Sequence, residues 1–322
     1  MNYLFAAGRK IAVLASIAML FSMTSYSQLS LRKAMDFDGD GKADFSVFRP
    51  ALNTWMISKT GGGETFQAFG TANDDFMAPG DFDGDGKGDI SVWRDSTGTW
   101  FRLNSATNTF TAVQWGLTGD EPVARDYDGD GKTDLAVTRR TNGALIWYVL
   151  KSSNGGIQSG QFGLATDYTA PGDYDGDGKF DYGVQRPGLT PTSQATFYAQ
   201  RSSDGALFAV AWGLSNDLVV PGDYDGDGKT DVAVVREGAS ATANLTWYIL
   251  KSSDGGLLAT SFGVTGTDLN VQNDYDGDGK TDIGVWRDAN GTFYVLKSSD
   301  GGFIGKQWGI PNDFPVASYD TH

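Results

Sequence analysis

The sequence predicts an all-β fold made of repeated four-stranded units, and three observations support this expectation. An acidic nonapeptide recurs six times, at intervals of 45 to 51 residues. After each nonapeptide the apolar residues alternate along the chain, which is the period of a β-strand. Each unit also contains an aromatic-glycine pair, and several contain an Asp-Gly or Asn-Gly turn between two strand patterns. No long apolar helical pattern follows residue 23.

The acidic nonapeptides have the spacing of a metal-binding loop. They occupy residues 36–44, 81–89, 126–134, 173–181, 223–231 and 274–282, with Asp at positions 1, 3, 5 and 9 and Gly at position 6. Alternating carboxylates converge on one point only where the chain turns sharply, and the glycine permits that turn. The carbonyl of position 7 adds a further oxygen in calcium loops of this kind. We therefore expect up to six Ca²⁺ ions, one per loop.

A first strand leaves each loop. Position 10 is apolar, position 11 is small, position 12 is valine and position 14 is arginine in all six units. The arginines are Arg49, Arg94, Arg139, Arg186, Arg236 and Arg287. Because the period is two, one face of the strand carries large apolar groups, and the small residue on the other face lets a neighbouring sheet approach closely.

Three further strands complete each unit. The second begins near an aromatic residue and leads, in several units, to a turn such as KSSNGG 151–156, which is a strong hairpin signal. The third ends in the aromatic-glycine pair, and a short fourth strand runs into the next loop, as in APGD 78–81. Four antiparallel strands per unit match the blade of a β-propeller, in which blades stack in a ring because one blade cannot bury both of its faces alone.

The chain resembles a known family over roughly residues 30–320. The aromatic-glycine pairs, the Ala-Pro-Gly segment and the DxDxDGxxD loop are similar to the FG-GAP repeats of integrin α-subunit propellers and to bacterial VCBS-type repeats. The segments EPVARD 121–126, LNVQND 269–274 and LRKAMD 31–36 depart from the Ala-Pro-Gly pattern.

The resemblance implies that each loop binds metal through the carboxylates of positions 1, 3, 5 and 9 and the backbone carbonyl of the lysine at position 7. The implied ligands are Asp36, Asp38, Asp40, Lys42 and Asp44; Asp81, Asp83, Asp85, Lys87 and Asp89; Asp126, Asp128, Asp130, Lys132 and Asp134; Asp173, Asp175, Asp177, Lys179 and Asp181; Asp223, Asp225, Asp227, Lys229 and Asp231; and Asp274, Asp276, Asp278, Lys280 and Asp282.

Other interpretations of the loops stay open to different degrees. An EF-hand would need flanking helices and a glutamate at position 12, where every unit has valine, and a β-roll would need tandem nonapeptides. A third alternative is that the aspartates serve only as turn-forming residues, but clustered carboxylates repel one another by about 1 kcal/mol per pair even in water. Mg²⁺ is a second candidate ion, although it prefers a tighter octahedral site.

The repeat count favours six blades, with seven, as in integrins, as the alternative. The segment PVASYD 315–320 repeats the pattern of the fourth strand, and the stretch Leu29–Met35 occupies the same place in the repeat. The two ends therefore supply too few strands for a seventh blade. We expect the terminal strand to close the ring by joining the first blade.

Residues 1–27 have the features of a secretory signal peptide, with Arg9 and Lys10 before an apolar run, and 28–322 then form the propeller domain. An uncleaved N-terminal anchor is the alternative. The chain has no cysteine and a formal charge of −15, which the six loops account for. Without a basic patch we expect no nucleic-acid partner, and we expect a monomeric, secreted or cell-surface protein with no membrane span after signal cleavage.

Two features outside the loops bear on function. The six arginines form either a ligand-binding ring or, as we prefer, ion pairs and aromatic contacts inside the blades. The interval between this arginine and the next aromatic is longest in the fourth and fifth units, at 187–196 and 237–246, and insertions in repeat proteins fall mainly on one face, often the binding face. Because the first strand crosses the blade, these segments should lie opposite the calcium loops.

The function best supported by the sequence is an adhesion or ligand-binding module for an extracellular protein or glycan. We expect no enzymatic activity, because the single histidine is His322 and the carboxylate pairs outside the loops, Asp74-Asp75 and Asp120-Glu121, are adjacent in sequence and need not converge. A polysaccharide-active hydrolase or lyase and a purely structural module are the alternatives.

Overall fold

The computed structural model describes residues 34–317 as a ring of six four-stranded antiparallel sheets. In chain order the strands are β1 (Phe45–Arg49), β2 (Thr54–Ser58), β3 (Glu64–Ala68), β4 (Asp75–Met77), β5 (Ile90–Arg94), β6 (Thr99–Leu103), β7 (Phe110–Gln114), β8 (Glu121–Pro122), β9 (Leu135–Thr141), β10 (Ala144–Leu150), β11 (Ile157–Leu164), β12 (Tyr168–Thr169), β13 (Tyr182–Arg186), β14 (Gln194–Gln200), β15 (Leu207–Leu214), β16 (Leu218–Val219), β17 (Val232–Arg236), β18 (Asn244–Leu250), β19 (Leu257–Val264), β20 (Asp268–Asn270), β21 (Ile283–Arg287), β22 (Thr292–Leu296), β23 (Phe303–Gln307) and β24 (Phe314–Pro315). Single-turn 3₁₀ helices follow the first strand in three blades, at Pro50–Leu52, Asp95–Thr97 and Asp288–Asn290.

Each blade takes its inner strand from the preceding repeat. The sheet orders β4-β5-β6-β7 and β12-β13-β14-β15 show the arrangement: the short fourth strand of one repeat pairs with the first strand of the next. The prediction of an all-β propeller with six blades is therefore confirmed. No helix among residues 34–317 has the length and apolar character needed to cross a bilayer.

The two ends of the described chain meet in the first blade. β24 pairs with β1, with Phe48 opposite Phe314, so the terminal strand closes the ring as predicted. At the other end, the Met35 carbonyl accepts a hydrogen bond from the Asp44 N–H (2.7 Å). The signal peptide at 1–27, residues 29–33 of the predicted N-terminal segment and residues 318–320 of PVASYD lie outside the described residues, as does His322.

The core lies between neighbouring blades. The ring of Trp147 in the third blade stacks on Tyr182 of the fourth, with centroids 4.8 Å apart. A Cβ on Gly163 of the third blade's aromatic-glycine pair would lie 3.1 Å from Val184 of the fourth. Glycine here allows two sheets to approach closely, so these pairs serve inter-blade packing.

The ring has two different faces. The acidic loops lie at the start of the first strand of each blade, together with the hairpin turn between the second and third strands; we call this side the metal face. The opposite face carries the arginines that end the first strands. On that face the third, fourth and fifth blades are taller, because their second strands have seven residues instead of five and their third strands have eight.

The long segments of the fourth and fifth blades lie on the opposite face, as expected, but they are shorter than the sequence suggested. β14 begins at Gln194 and β18 at Asn244, so the connections are 187–193 and 237–243. The extra residues lengthen the strands and enter β-bulges, such as the register shift between Gln194 and Thr196.

Candidate metal centres

Each acidic loop winds around the carboxylate of its first aspartate. In the third loop, Asp126 Oδ1 accepts a hydrogen bond from the Gly129 N–H (2.6 Å) and Oδ2 accepts one from the Gly131 N–H (2.9 Å). Both glycines have positive φ, at 78° and 85°, a conformation that other residues rarely adopt. The loop therefore needs glycine at position 4 as well as at the predicted position 6.

Three of the four predicted aspartates converge in each of the five clusters below. Oxygen atoms of three aspartates lie within 4.8 Å of one another in each cluster. The clusters described are Asp36, Asp38 and Asp40; Asp81, Asp83 and Asp85; Asp126, Asp128 and Asp134; Asp173, Asp175 and Asp181; and Asp223, Asp225 and Asp231. Positions 1 and 9 are buried, whereas positions 3 and 5 are more exposed.

The turn between the second and third strands completes each loop, which sequence reasoning missed. In the third blade the Ser152 N–H donates to Asp134 (2.7 Å) and the Ser152 hydroxyl to Asp130 (2.9 Å). The Ser153 hydroxyl donates to Asp128 (2.6 Å). The sequence feature that could have predicted these contacts is the pair of serines in the KSSxGG turns, which we interpreted only as a hairpin turn.

Burial raises the pKa of the inner carboxylates. It raises the pKa of Asp134 and Asp181 to about 7 and that of Asp44 and Asp89 to about 6, and the charge of the aspartate at position 3 of the same loop adds to the shift. Hydrogen bonds from backbone N–H groups oppose it only in part. A cation among these carboxylates would offset the cost of their negative charge.

The residues fit a hard divalent cation. All side chains that converge are carboxylates, a donor set that suits Ca²⁺ or Mg²⁺ and not thiolate-preferring metals. The lysine at position 7 donates its N–H to the aspartate at position 5, as between Lys132 and Asp130 (2.9 Å). Coordination by the lysine carbonyls remains a prediction.

Neighbouring loops are joined by hydrogen bonds in a closed ring. The N–H of position 8 donates to the carbonyl of the first aspartate in the preceding loop, at 2.7 to 2.8 Å. These bonds run from Gly88 to Asp36, Thr133 to Asp81, Phe180 to Asp126, Thr230 to Asp173, Thr281 to Asp223 and Ala43 to Asp274. The lysine side chain of each loop lies across the glycine at position 4 of the preceding loop, and Lys132 Nζ donates to the Asp83 carbonyl (3.0 Å).

Size matching at these junctions explains the departures from the Ala-Pro-Gly pattern. A Cβ on Gly222, just before the fifth loop, would lie 2.8 Å from Thr281 Oγ1 at position 8 of the sixth loop. Gly80 and Gly172 face Thr133 and Thr230 in the same way. In EPVARD the glycine is replaced by Arg125, whose guanidinium lies over the ring of Phe180 (5.8 Å).

On the opposite face each of the six arginines makes an ion pair with a buried aspartate. The pairs are Arg49–Asp313, Arg94–Asp75, Arg139–Asp120, Arg186–Asp167, Arg236–Asp217 and Arg287–Asp268. Five of the guanidinium groups also lie 4.5 to 4.8 Å over an aromatic ring of the second strand. This confirms the structural role that we preferred for the arginines. The ion pairs could have been predicted from the sequence, since five of the aspartates precede their arginines by the same interval of 19 residues.

The opposite face exposes apolar side chains around the mouth of the ring. In each blade, one inner-strand residue pairs with the first-strand residue that precedes the arginine. These inner-strand residues are Phe314, Phe76, Glu121, Tyr168, Leu218 and Leu269. Phe76 and Phe314 are each 52% exposed, and Glu121 is held by Arg140 (2.9 Å). All nine tryptophans are buried or half-buried. A cleft of about 310 Å³ between the second and third blades is lined by Trp115, Leu117, Arg139 and Tyr148 among others.

Comparison with known proteins identifies the repeat. An FG-GAP-like repeat model matches residues 126–184, and no curated protein matches the chain. Among solved structures, virginiamycin B lyase from Staphylococcus aureus is 7% identical, with a TM-score of 0.48, covering 85% of this chain and 87% of that one. AztD from Citrobacter koseri is 10% identical, with a TM-score of 0.36, covering 83% and 95%. The matched residues contain the third loop, and the same loop and aromatic-glycine pair recur in every unit, so the chain is a six-bladed β-propeller in which residues 126–184 match the FG-GAP-like repeat.

Proposed function

We propose that this protein is a secreted, calcium-binding β-propeller that binds an extracellular protein through the face opposite its metal loops. One observation carries the proposal: the metal face repeats the same loop six times in a closed ring, whereas the opposite face differs from blade to blade. A uniform face suits stability, and a varied face suits recognition.

Calcium supports this scaffold role. The loops bring several carboxylates together, and burial makes their charge costly. Ca²⁺ binds all-oxygen sites of this kind, and extracellular modules bind it at roughly 0.1 to 1 mM, which suits a secreted protein. The ion would hold the loops that join neighbouring blades.

The character of the opposite face favours a protein ligand over a glycan. The mouth exposes Phe76, Phe314, Tyr168 and Leu269, and Leu189 stands fully exposed on the connection 187–193. Exposed apolar groups of this kind mark protein-binding surfaces. The connections 187–193 and 237–243 are ordered in the same way: the Gly188 N–H donates to Ser215 Oγ (2.7 Å) and the Gly238 N–H to Thr265 Oγ1 (2.8 Å).

An enzymatic role has no observation in its favour among the described residues. The carboxylates noted outside the loops are engaged: Asp75 and Asp120 pair with Arg94 and Arg139, and Glu121 pairs with Arg140. We therefore propose a binding module without catalytic activity.

The test is a screen of the purified protein against arrays of extracellular proteins and of glycans, in calcium and in chelator. We expect a protein ligand whose binding is lost when 187–193 and 237–243 are both replaced by the short connection of the second blade, while calcium-dependent melting is preserved. Substitution of the exposed Asn154, at the tip of a turn on the metal face, is the control. Binding that survives both shortened connections would place the site elsewhere, and binding to glycans alone would overturn the choice of a protein.

Calcium binding itself is tested by melting. At a calcium concentration 100 times the dissociation constant, each independent site adds about 2.7 kcal/mol to the free energy of unfolding. We expect a large rise in the melting temperature in millimolar calcium over the metal-free protein. An unchanged midpoint would remove the structural role of the metal.

A further inference from the structure

The hairpin turns that cover the metal loops are of two kinds. In the third to sixth blades, a second serine donates its hydroxyl to the aspartate at position 3, at 2.5 to 2.6 Å. In the first and second blades this residue is Gly61 or Ala106, and only its backbone N–H reaches the aspartate, at 3.1 Å in each case.

The carboxylate at position 3 belongs to each of the clusters described. Oxygen atoms of positions 1, 3 and 5 lie together in the first two loops, and those of positions 1, 3 and 9 lie together in the third, fourth and fifth. The group that holds the position 3 carboxylate therefore bears on each of these sites.

A second difference follows the same division. Position 2 is tyrosine in the third to sixth loops, and its hydroxyl donates to the carbonyl of the residue just after the inner strand, as from Tyr127 to Val123 (2.7 Å). In the first two loops position 2 is Phe37 or Phe82, which cannot make this bond. In the third to sixth loops, positions 2 and 3 therefore each take part in a hydroxyl hydrogen bond that the first two loops lack.

We infer that the six metal loops form two affinity classes, four tighter sites in the third to sixth blades and two weaker sites in the first and second, and that the second serine of the turn sets the class. This inference rests on the proposed calcium binding and names the residues that tune it. Ser153, Ser203, Ser253 and Ser299 are positioning residues, since each touches the carboxylate and orients it.

The direction follows from preorganisation. A hydrogen bond from a group outside the ligand set fixes the orientation of a ligating carboxylate, and loss of such a partner costs roughly 10- to 100-fold in metal affinity. A short hydroxyl bond fixes the carboxylate at position 3 better than a backbone N–H at 3.1 Å. We therefore expect the two classes to differ by about 10-fold or more in dissociation constant.

Calcium titration of the metal-free protein by calorimetry, with bound ions counted by native mass spectrometry, tests the inference. We expect four ions to bind at the tighter sites before the remaining two bind at the weaker sites. Ser153→Ala removes one hydroxyl and should give three tighter and three weaker sites. Ala106→Ser adds the hydroxyl to the second blade and should give five tighter sites and one weaker site.

Ser240→Ala is the matched control, because the Ser240 hydroxyl lies on the opposite face, 3.4 Å from that of Thr242. It should leave the four-and-two pattern intact. Metal-free melting of each variant separates an altered site from a damaged fold. Six ions bound as one class, or an Ala106→Ser variant that keeps four and two, would overturn the inference while leaving calcium binding in place. Absence of any calcium binding would overturn the proposed function itself.

Discussion

At the scale of single residues, two kinds of buried aspartate sit at opposite ends of each blade. On the opposite face, the aspartate has a permanent cation as its partner: the side chain of Asp268 is fully buried, and its two oxygens accept hydrogen bonds from Arg287 at 2.7 and 2.8 Å. On the metal face, the hydrogen bonds described for the aspartate at position 9 come from N–H and hydroxyl groups, as those of Asp282 come from Ser298. The charge of the first kind of aspartate is balanced by an arginine of the protein itself. The charge of the second kind is suited to balance by a metal ion from solution.

Removing the arginine tests the first kind. Arg287→Met leaves Asp268 buried without its cation, which should lower the free energy of unfolding by about 2 kcal/mol. Arg201→Met is the control, because Arg201 pairs with Asp204 at the surface and such pairs contribute about 0 to 1 kcal/mol. Denaturant unfolding of both variants gives the comparison, and equal losses would contradict the structural role of the arginine ring.

The second kind predicts a pH dependence that calcium reverses. In the metal-free protein, burial raises the pKa of Asp134 and Asp181 to about 7, above the value in the unfolded chain. The protonated groups therefore favour the folded state, and this stabilisation decreases as the pH rises from the unfolded pKa of 3.8 to the folded pKa of about 7. We expect the metal-free protein to melt several degrees lower at pH 8 than at pH 5.5.

With excess calcium the order should reverse, because the ion needs deprotonated ligands. Melting curves from pH 5.5 to 8, with and without calcium, provide the measurement. A metal-free protein that gains stability over this range would show that the buried carboxylates are compensated by something other than a cation.

At the scale of elements, the junction between neighbouring loops is the part that varies. Each junction consists of the residue before the first aspartate of one loop and the residue at position 8 of the next loop. Three junctions place glycine against threonine, one places Arg125 against Phe180, and one has Asn273 and Ala43 at the equivalent positions of the repeat. The Asn273 side chain accepts a hydrogen bond from the Asp274 N–H (2.9 Å), and in the fourth blade a threonine hydroxyl accepts the equivalent bond from Asp173. The two residues at a junction therefore change together.

This pairing predicts a rescue. Gly222→Asn alone should lower the free energy of unfolding by about 1 to 3 kcal/mol, because its side chain meets Thr281. Adding Thr281→Ala reproduces the pair found at Asn273 and Ala43 and should recover most of the loss. A double-mutant cycle measures the coupling between the two sites, and purely additive losses would contradict the size matching.

The elements also show how far the sequence could predict the structure. The strand order, the six blades and the converging aspartates follow from local patterns, because each repeat carries its own loop, strand alternation and turns. The serines of the hairpin turn and the aspartates that hold the arginines were missed, because their bonds join positions about 16 to 28 residues apart. The segments 187–196 and 237–246 were overestimated, since part of each lengthens a strand instead of a connection.

At the scale of the whole molecule, the ring closes through both ends of the described chain in one blade. Asp313 bonds Arg49 (2.8 Å), β24 pairs with β1, and Val316 is fully buried in the core cluster of the first blade. Among residues 34–317, β24 is the inner strand of the first blade.

A chain ending at Pro311 tests this closure. It lacks Asp313, β24 and Val316, so β1 keeps β2 but loses its inner partner strand, and Arg49 loses its carboxylate. We expect a loss of about 3 kcal/mol or more and a broader unfolding transition than in any single-site variant above. Calorimetric melting in calcium is the measurement, and an unchanged midpoint would mean that the other five blades hold the ring without this strand.

The matched junctions also govern how such a molecule can gain or exchange blades. Gly80, Gly172 and Gly222 face threonines in the same way, so repeats joined through these boundaries present interchangeable edges. At the junction of Arg125 with Phe180, and at the junction that contains Asn273 and Ala43, each residue fits only the residue that it has in this chain. A duplicated or transplanted repeat should therefore be accommodated where a glycine edge meets a threonine edge, and rejected where an unmatched side chain fills the junction. Recombination between repeats is thus restricted to boundaries whose two edges match.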